Sequence, residues 1–171
     1  MRYVPRKTKA QADRSSPKTP VAAELRDFCM SEDVLDWVTS GTNWSMIGFT
    51  ARVYLPPTGG GVGYGGGLAL NGSGIPGNVT PWLSYAGYQT NGVPFQISEF
   101  PPPYRLEYSA VGTRFTLRVF SLNTRQLIRE MSWTDSSRGQ GLMGLFVGAP
   151  SGAHESHSVT VDNFFLSGTK P

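Results

Sequence analysis

The sequence predicts an all-β protein in which two antiparallel sheets pack face to face, and three observations predict it. Near the end of the chain, two apolar segments, 141–148 and 158–168, are separated by a turn-rich gap, and the second alternates before closing on Gly168. Between Tyr104 and Trp133, apolar residues recur at every second position. The chain carries 21 Gly and 13 Pro against only 16% charged residues, the profile of many short strands joined by tight turns, and no strand pattern alternates with helical ones. At 171 residues the chain suits one domain.

The first twenty residues stand apart. Arg2, Arg6, Lys7, Lys9, Arg14 and Lys18 face only Asp13, a net +5, so the total of +3 leaves −2 for the remainder. Almost nothing apolar is available there to offset the entropy of ordering the backbone, which predicts a mobile or extended basic arm over 1–20 and a sandwich domain over 21–171. From Val21 to Val38 the spacing of Ala22, Leu25, Phe28 and Cys29, then Val34, Leu35 and Val38, predicts one or two short helices, with Ser31 as N-cap ahead of Glu32 and Asp33.

Strands follow. Ile47, Phe49, Ala51, Val53 and Leu55 alternate with Gly48, Thr50, Arg52 and Tyr54, and Pro56-Pro57 ends the run. Leu68–Leu70 before Asn71-Gly72, and Trp82–Tyr88 before Asn91-Gly92, are each followed by a dipeptide that tolerates positive φ; 95–97 is a short partner. Tyr104, Leu106, Tyr108 and Ala110 alternate with Arg105, Glu107 and Ser109. After a turn at Val111-Gly112, Phe115, Leu117 and Val119 alternate with Arg114, Thr116 and Arg118, and Gln126–Trp133 completes a three-stranded meander. On its polar face Glu107 is expected opposite Arg114 or Arg118. With 143–146 and 159–166 the count reaches nine or ten strands.

The succession Tyr104–Tyr108, Gly112–Val119, Gly141–Phe146 and Val159–Phe164 resembles the back half of the concanavalin-A-like or laminin-G-like jelly rolls of bacterial secreted and cell-surface proteins. The resemblance spans roughly 49–169 and is carried by strands and turns. It implies an extracellular, cell-surface or periplasmic setting. It also implies a role among lectins, carbohydrate-binding modules, adhesive modules or glycosidases. The glycosidases of this fold carry a Glu-x-Asp-x-x-Glu strand that aligns two carboxylates on one face. This sequence has none, since Glu32, Asp33 and Asp36 have the wrong spacing. No enzymatic activity and no catalytic residue are expected.

Other patterns have bland readings. Gly61, Gly63 and Gly66 spell a literal G-x-G-x-x-G, but it leads into a strand instead of opening a helix, so 59–67 is expected to be a flexible loop with Tyr64 at its tip. His154-Glu155-Ser156-His157 lacks the one-turn spacing that aligns two zinc ligands and is expected in an exposed loop. Asp162 and Asn163 are expected to hydrogen-bond within the sandwich rather than hold calcium. Cys29, the single cysteine, is expected to be a small buried side chain. No metal or cofactor is expected.

Tyr64, Trp82, Tyr85 and Tyr88 are the candidate ligand-binding residues, because flat rings with polar edges stack on sugars. Trp82, Ser84, Ala86 and Tyr88 share one strand face and Tyr85 lies on the other, so one of the two faces the core. Arg2, Arg6, Lys7, Lys9, Arg14 and Lys18 are the candidate partner-docking residues; nucleic acid is the less favoured occupant of that arm. The sequence therefore predicts a binding or assembly module that docks to a protein partner or a glycan. One alternative is a carbohydrate-binding module using aromatics on one sheet, and another is a capsid-like jelly roll with a nucleic-acid-binding arm. No segment has the roughly 20 apolar residues of a membrane-spanning helix, and the N-terminal residues lack the apolar core of a signal peptide.

Overall fold

The computed structural model describes residues 8–11, 21–39, 45–55, 61–70, 77–86, 88–148 and 157–170. Within them lie thirteen strands: β1 (Thr8–Gln11), β2 (Val21–Leu25), β3 (Phe28–Thr39), β4 (Ser45–Tyr54), β5 (Val62–Leu70), β6 (Asn78–Tyr85), β7 (Tyr88–Asn91), β8 (Phe95–Gln96), β9 (Tyr104–Val111), β10 (Arg114–Ser121), β11 (Leu127–Thr134), β12 (Gly141–Gly148) and β13 (His157–Gly168). They form two antiparallel sheets, one ordered β1-β13-β3-β9-β10-β11 and the other β2-β12-β4-β5-β6-β7, with β8 also pairing β6. The predicted two-sheet sandwich is thus present, with more strands than the nine or ten expected. Among the described residues no helix is long and apolar enough to cross a membrane.

The meander β9-β10-β11 follows the alternation in its sequence. Tyr104, Leu106, Tyr108 and Ala110 are buried, as are Phe115, Leu117 and Val119, while the intervening polar residues face away from the second sheet. Gly112, at φ 57°, supplies the left-handed turn between β9 and β10. On the outer face Arg118 is in register with Glu107 on one side and Glu130 on the other, and its Nε lies 2.6 Å from Glu130 Oε2. Both partners are about 40% exposed, so the pair contributes little to stability, and it marks the face as a solvated charge ladder.

The helices expected over Val21–Val38 are replaced by β2 and β3. Along β3, Phe28, Met30, Glu32 and Val34 stand opposite Ala110, Tyr108, Leu106 and Tyr104 of β9, all on the core face. A glutamate occupies one of these inward positions and hides the two-residue period, leaving a chance helical spacing as the visible pattern. Cys29, on the opposite face, is exposed rather than buried. Within the arm, Thr8–Gln11 is extended and pairs with β13 at the edge of the six-stranded sheet; the rest of the arm, 1–7 and 12–20, lies outside the described residues.

The glycine run is likewise a strand rather than a loop from Val62 onward, with 59 and 60 outside the described residues. Its alternation was masked because Gly63, Gly65 and Gly67 present no side chain on one face, while Tyr64 and Leu68 are buried on the other. Gly67 stands opposite Gly48 of β4, and neither position has room for a Cβ against the partner strand's backbone.

In β4 the predicted alternation holds through Ala51 and then breaks. Arg52 adopts φ 49°, the pairing register shifts between Ala51 and Tyr54, and Tyr54 and Leu55 become exposed. This bulge turns the Arg52 side chain inward, where it is 1% exposed. Its Nε and Nη2 groups donate to the Arg26 carbonyl at 3.0 and 2.6 Å, Nη2 donates to the Gly112 carbonyl at 2.8 Å, and Nη1 donates to the Arg138 carbonyl at 3.1 Å. Asp27 Oδ1, 3.9 Å from Arg52, accepts from the Gly112 amide, and the guanidinium lies 4.9 Å from the centre of the Phe115 ring. Arg52→Met is expected to destabilise the protein by about 3–5 kcal/mol because it orphans carbonyls in three connections. Arg52→Lys should recover only part of that loss in urea denaturation, and full recovery by lysine would refute the role given to the guanidinium fork.

Glu32 is 1% exposed and neither of its carboxylate oxygens has a hydrogen-bond partner. Burial, with Asp33 beside it, pushes its carboxyl from 4.5 up to about 8. Between those values the native state holds a proton that the unfolded chain has released, so stability falls as pH rises, by up to about 1.4 kcal/mol per pH unit. Glu32→Leu is expected to flatten that slope and raise Tm at pH 8 in thermal melts taken from pH 4.5 to 8. An unchanged slope in the variant would show that another group controls it.

Candidate functional site

The outer face of the seven-stranded sheet carries a groove of about 350 Å³ lined by Met46, Thr50, Trp82, Ser84, Ala86, Gln89 and Phe146, together with Gly61, Gly63, Tyr64 and Gly65. Strand registry explains this composition. One row across the sheet runs Phe146, Gly48, Gly67, Trp82. The adjacent row runs Gly144, Thr50, Gly65, Ser84, Gln89. The first places two aromatic rings on either side of a bare glycine pair, and the second places three neutral polar side chains around another glycine.

The glycines let the aromatic rings lie down on the sheet. A Cβ at Gly65 would fall 2.6 Å from Cζ3 and 2.8 Å from Cη2 of Trp82, so the six-membered end of the indole covers that position. The Trp82 and Phe146 centroids are 6.0 Å apart at 78°, an edge-to-face pair. Trp82 is only 3% exposed, and its Nε1 has no hydrogen-bond partner. Two residues back on the same face, the Thr80 hydroxyl is also buried without a partner. Such groups each cost about 1–3 kcal/mol when left unpaired, which marks this face as polar in capacity but unsatisfied. Among the described residues, no side chain lining the groove carries a formal charge.

Of the four aromatics singled out from the sequence, Trp82 and Tyr64 border the groove, and Tyr85 and Tyr88 are not part of its lining. Trp82 alone turns its ring to the groove side. Tyr64, expected at a loop tip, is 2% exposed inside the sandwich, with ring centroids 4.1 Å from Phe115 and 4.6 Å from Tyr85. Its hydroxyl donates to Asp135 Oδ1 at 2.8 Å and accepts from the Arg138 amide at 3.0 Å. Burial, helped by the bond to Asp135, pushes that phenol up to about 12. Tyr85 packs half-buried against the core, and Tyr88 is 77% exposed on β7, at the sheet's edge.

Of the candidate docking cations, Lys9 lies in β1, and Arg2, Arg6, Lys7, Arg14 and Lys18 lie outside the described residues. His154, Glu155 and Ser156 are also outside them, and His157 opens β13 instead of sitting in a loop. Asn163 donates to Asp33 Oδ2 at 2.7 Å, Arg105 donates to Asp33 Oδ1 at 3.0 Å, and Asp162 accepts from the Asn163 amide at 2.8 Å, so this pair hydrogen-bonds within the sandwich as expected. Among the described residues no three His, Cys, Asp or Glu side chains converge as metal ligands do.

The sequence reading passed over Thr50, Gln89 and Phe146. The available sign was alternation of glycine itself: Gly144, Phe146 and Gly148 share a face, as do Gly63, Gly65 and Gly67.

Comparison with known proteins shows the fold. The chain is similar to a functionally unknown protein from Saccharomyces cerevisiae, with a TM-score of 0.56 and 14% identity, over 88% of this chain and 74% of that one. It is similar to a carbohydrate-binding module, CBM66, from Bacillus subtilis, with a TM-score of 0.52 and 17% identity over 94% and 92% of the two chains. A bacteriophage CBA120 tailspike domain gives a TM-score of 0.50 at 12% identity, over 88% of this chain and 23% of that one. No family model and no curated protein sequence matches the chain.

Gly65→Ala provides a direct check of the site's construction. Its Cβ would force the Trp82 ring away, so the variant is expected to lose about 1–3 kcal/mol of stability and to shift tryptophan emission to longer wavelength. Unchanged emission and stability would mean that the indole does not rest on that glycine.

Proposed function

We propose that this protein is a non-enzymatic binding module of the concanavalin-A-like type, acting outside the cytoplasm, and that its ligand is a glycan held on the outer face of the seven-stranded sheet. The observation that carries the reading is the groove itself, where Trp82 and Phe146 flank a glycine floor and Thr50, Ser84 and Gln89 stand beside it. Sugars present hydroxyl edges and apolar C–H faces, and this surface offers a complement to each. Fold similarity to the Bacillus subtilis carbohydrate-binding module supports the same reading. Among the described residues the groove lining is neutral, which suits a binding role.

A second reading, docking to a protein partner, is favoured by the edge strand β7 and the segment after it, where Tyr88 and Val93 are 77% and 69% exposed. A glycan panel read by tryptophan fluorescence separates the two. Binding should shift emission and be weakened at least about tenfold by Trp82→Phe combined with Phe146→Ala, while Tyr88→Lys leaves it unchanged. Loss of glycan binding in Tyr88→Lys with the groove variants silent would move the site to the sheet edge.

A further inference from the structure

Charge is distributed unevenly over the sandwich. On the outer face of the six-stranded sheet, Asp33 pairs with Arg105, Arg105 lies 3.5 Å from Glu107, and Arg118 pairs with Glu130. At one end, Arg52 and Asp27 hold the turns, and Asp135 takes the Tyr64 hydroxyl. Among the described residues the groove on the other sheet has no such group: its polar complement consists of the Thr50 and Ser84 hydroxyls and the Gln89 amide. An ionised ligand entering it would give up hydration with no opposite charge to receive it, a loss of several kcal/mol. A neutral polyol gives up only hydroxyl hydrogen bonds, and hydroxyls and an amide can return those as donors or acceptors.

The two rows are not separate surfaces, because the Trp82 ring lies down over Gly65 of the polar row and is itself buried; Phe146 is the aromatic ring of the lining that keeps partial exposure.

We infer that the groove selects uncharged sugars, held by Thr50, Ser84 and Gln89 beside the Phe146 ring, and excludes uronates and sulfated or phosphorylated glycans. The inference rests on the carbohydrate-binding reading and narrows its substrate class.

Isothermal titration of the full chain with neutral, uronic-acid and sulfated oligosaccharides, at about 50 mM and about 500 mM salt, tests it. Neutral oligomers alone are expected to bind, with Kd changing less than about twofold across that range of salt. Gln89→Ala should weaken binding about threefold to tenfold, Phe146→Ala should weaken it too, and Glu130→Gln on the opposite sheet should leave it unchanged. Preferential, salt-sensitive binding of a charged oligomer would overturn the selectivity while leaving the carbohydrate-binding reading intact. Neutral binding indifferent to both groove variants would overturn the placement. Failure of every oligosaccharide to bind would overturn the selectivity and the carbohydrate-binding reading together.

Discussion

The guanidinium of Arg52 is the interaction on which the geometry of the sandwich most depends. It reaches from β4 of one sheet to the β2–β3 turn, the β9–β10 turn and the β11–β12 connection, and so ties three chain reversals to one side chain. Burying a cation in this position is costly, and backbone carbonyls, a nearby Asp27 and the face of Phe115 together offset it. The left-handed backbone at Arg52 follows from the same requirement, since an uninterrupted β4 would send the next side chain outward. Gly141 answers it from β12, passing so close that a Cβ would lie 2.5 Å from the Arg52 carbonyl carbon.

With that end fixed, the two sheets present different chemistry. The six-stranded sheet shows solvent a ladder of opposite charges, and the seven-stranded sheet shows a glycine-floored groove with two aromatic rings. Both faces arise from strict alternation around a common core. On β5, Tyr64 and Leu68 point inward, while the glycines between and around them leave room on the other face for the Trp82 ring to lie against the backbone. A single strand thereby contributes packing to the interior and a seat for an aromatic ring on its other face.

Much of this architecture was legible in the sequence because burial imposes a two-residue period wherever one face is dry. The meander from Tyr104 to Thr134 reads directly, and Glu107 does stand across from Arg118. The reading failed where a residue on the regular grid carried the wrong polarity for its face. Glu32 on the core side of β3 disguised a strand as a helix, and Arg52 turned inward through a bulge that no periodicity announces. Glycine posed the converse difficulty: a residue without a side chain is silent in a hydrophobic pattern, so the strand flooring the groove looked like a loop. Trp82 was identified as a candidate, but its companions were chosen by residue type, and the actual rows are set by pairing between strands distant in sequence.

The strand order also has a consequence for synthesis. β3 lies between β9 and β13, and β2 pairs only with β12, so strands made early find their neighbours among those made last. While the chain is being translated, β2 has no hydrogen-bonding partner and β3 has at most one, leaving unpaired backbone and the apolar face of Phe28, Met30 and Val34 open to other nascent chains. The topology therefore delays completion of both sheets until β12 and β13 have left the ribosome. Over that interval, protection of the early strands falls to chaperones or to the speed of elongation.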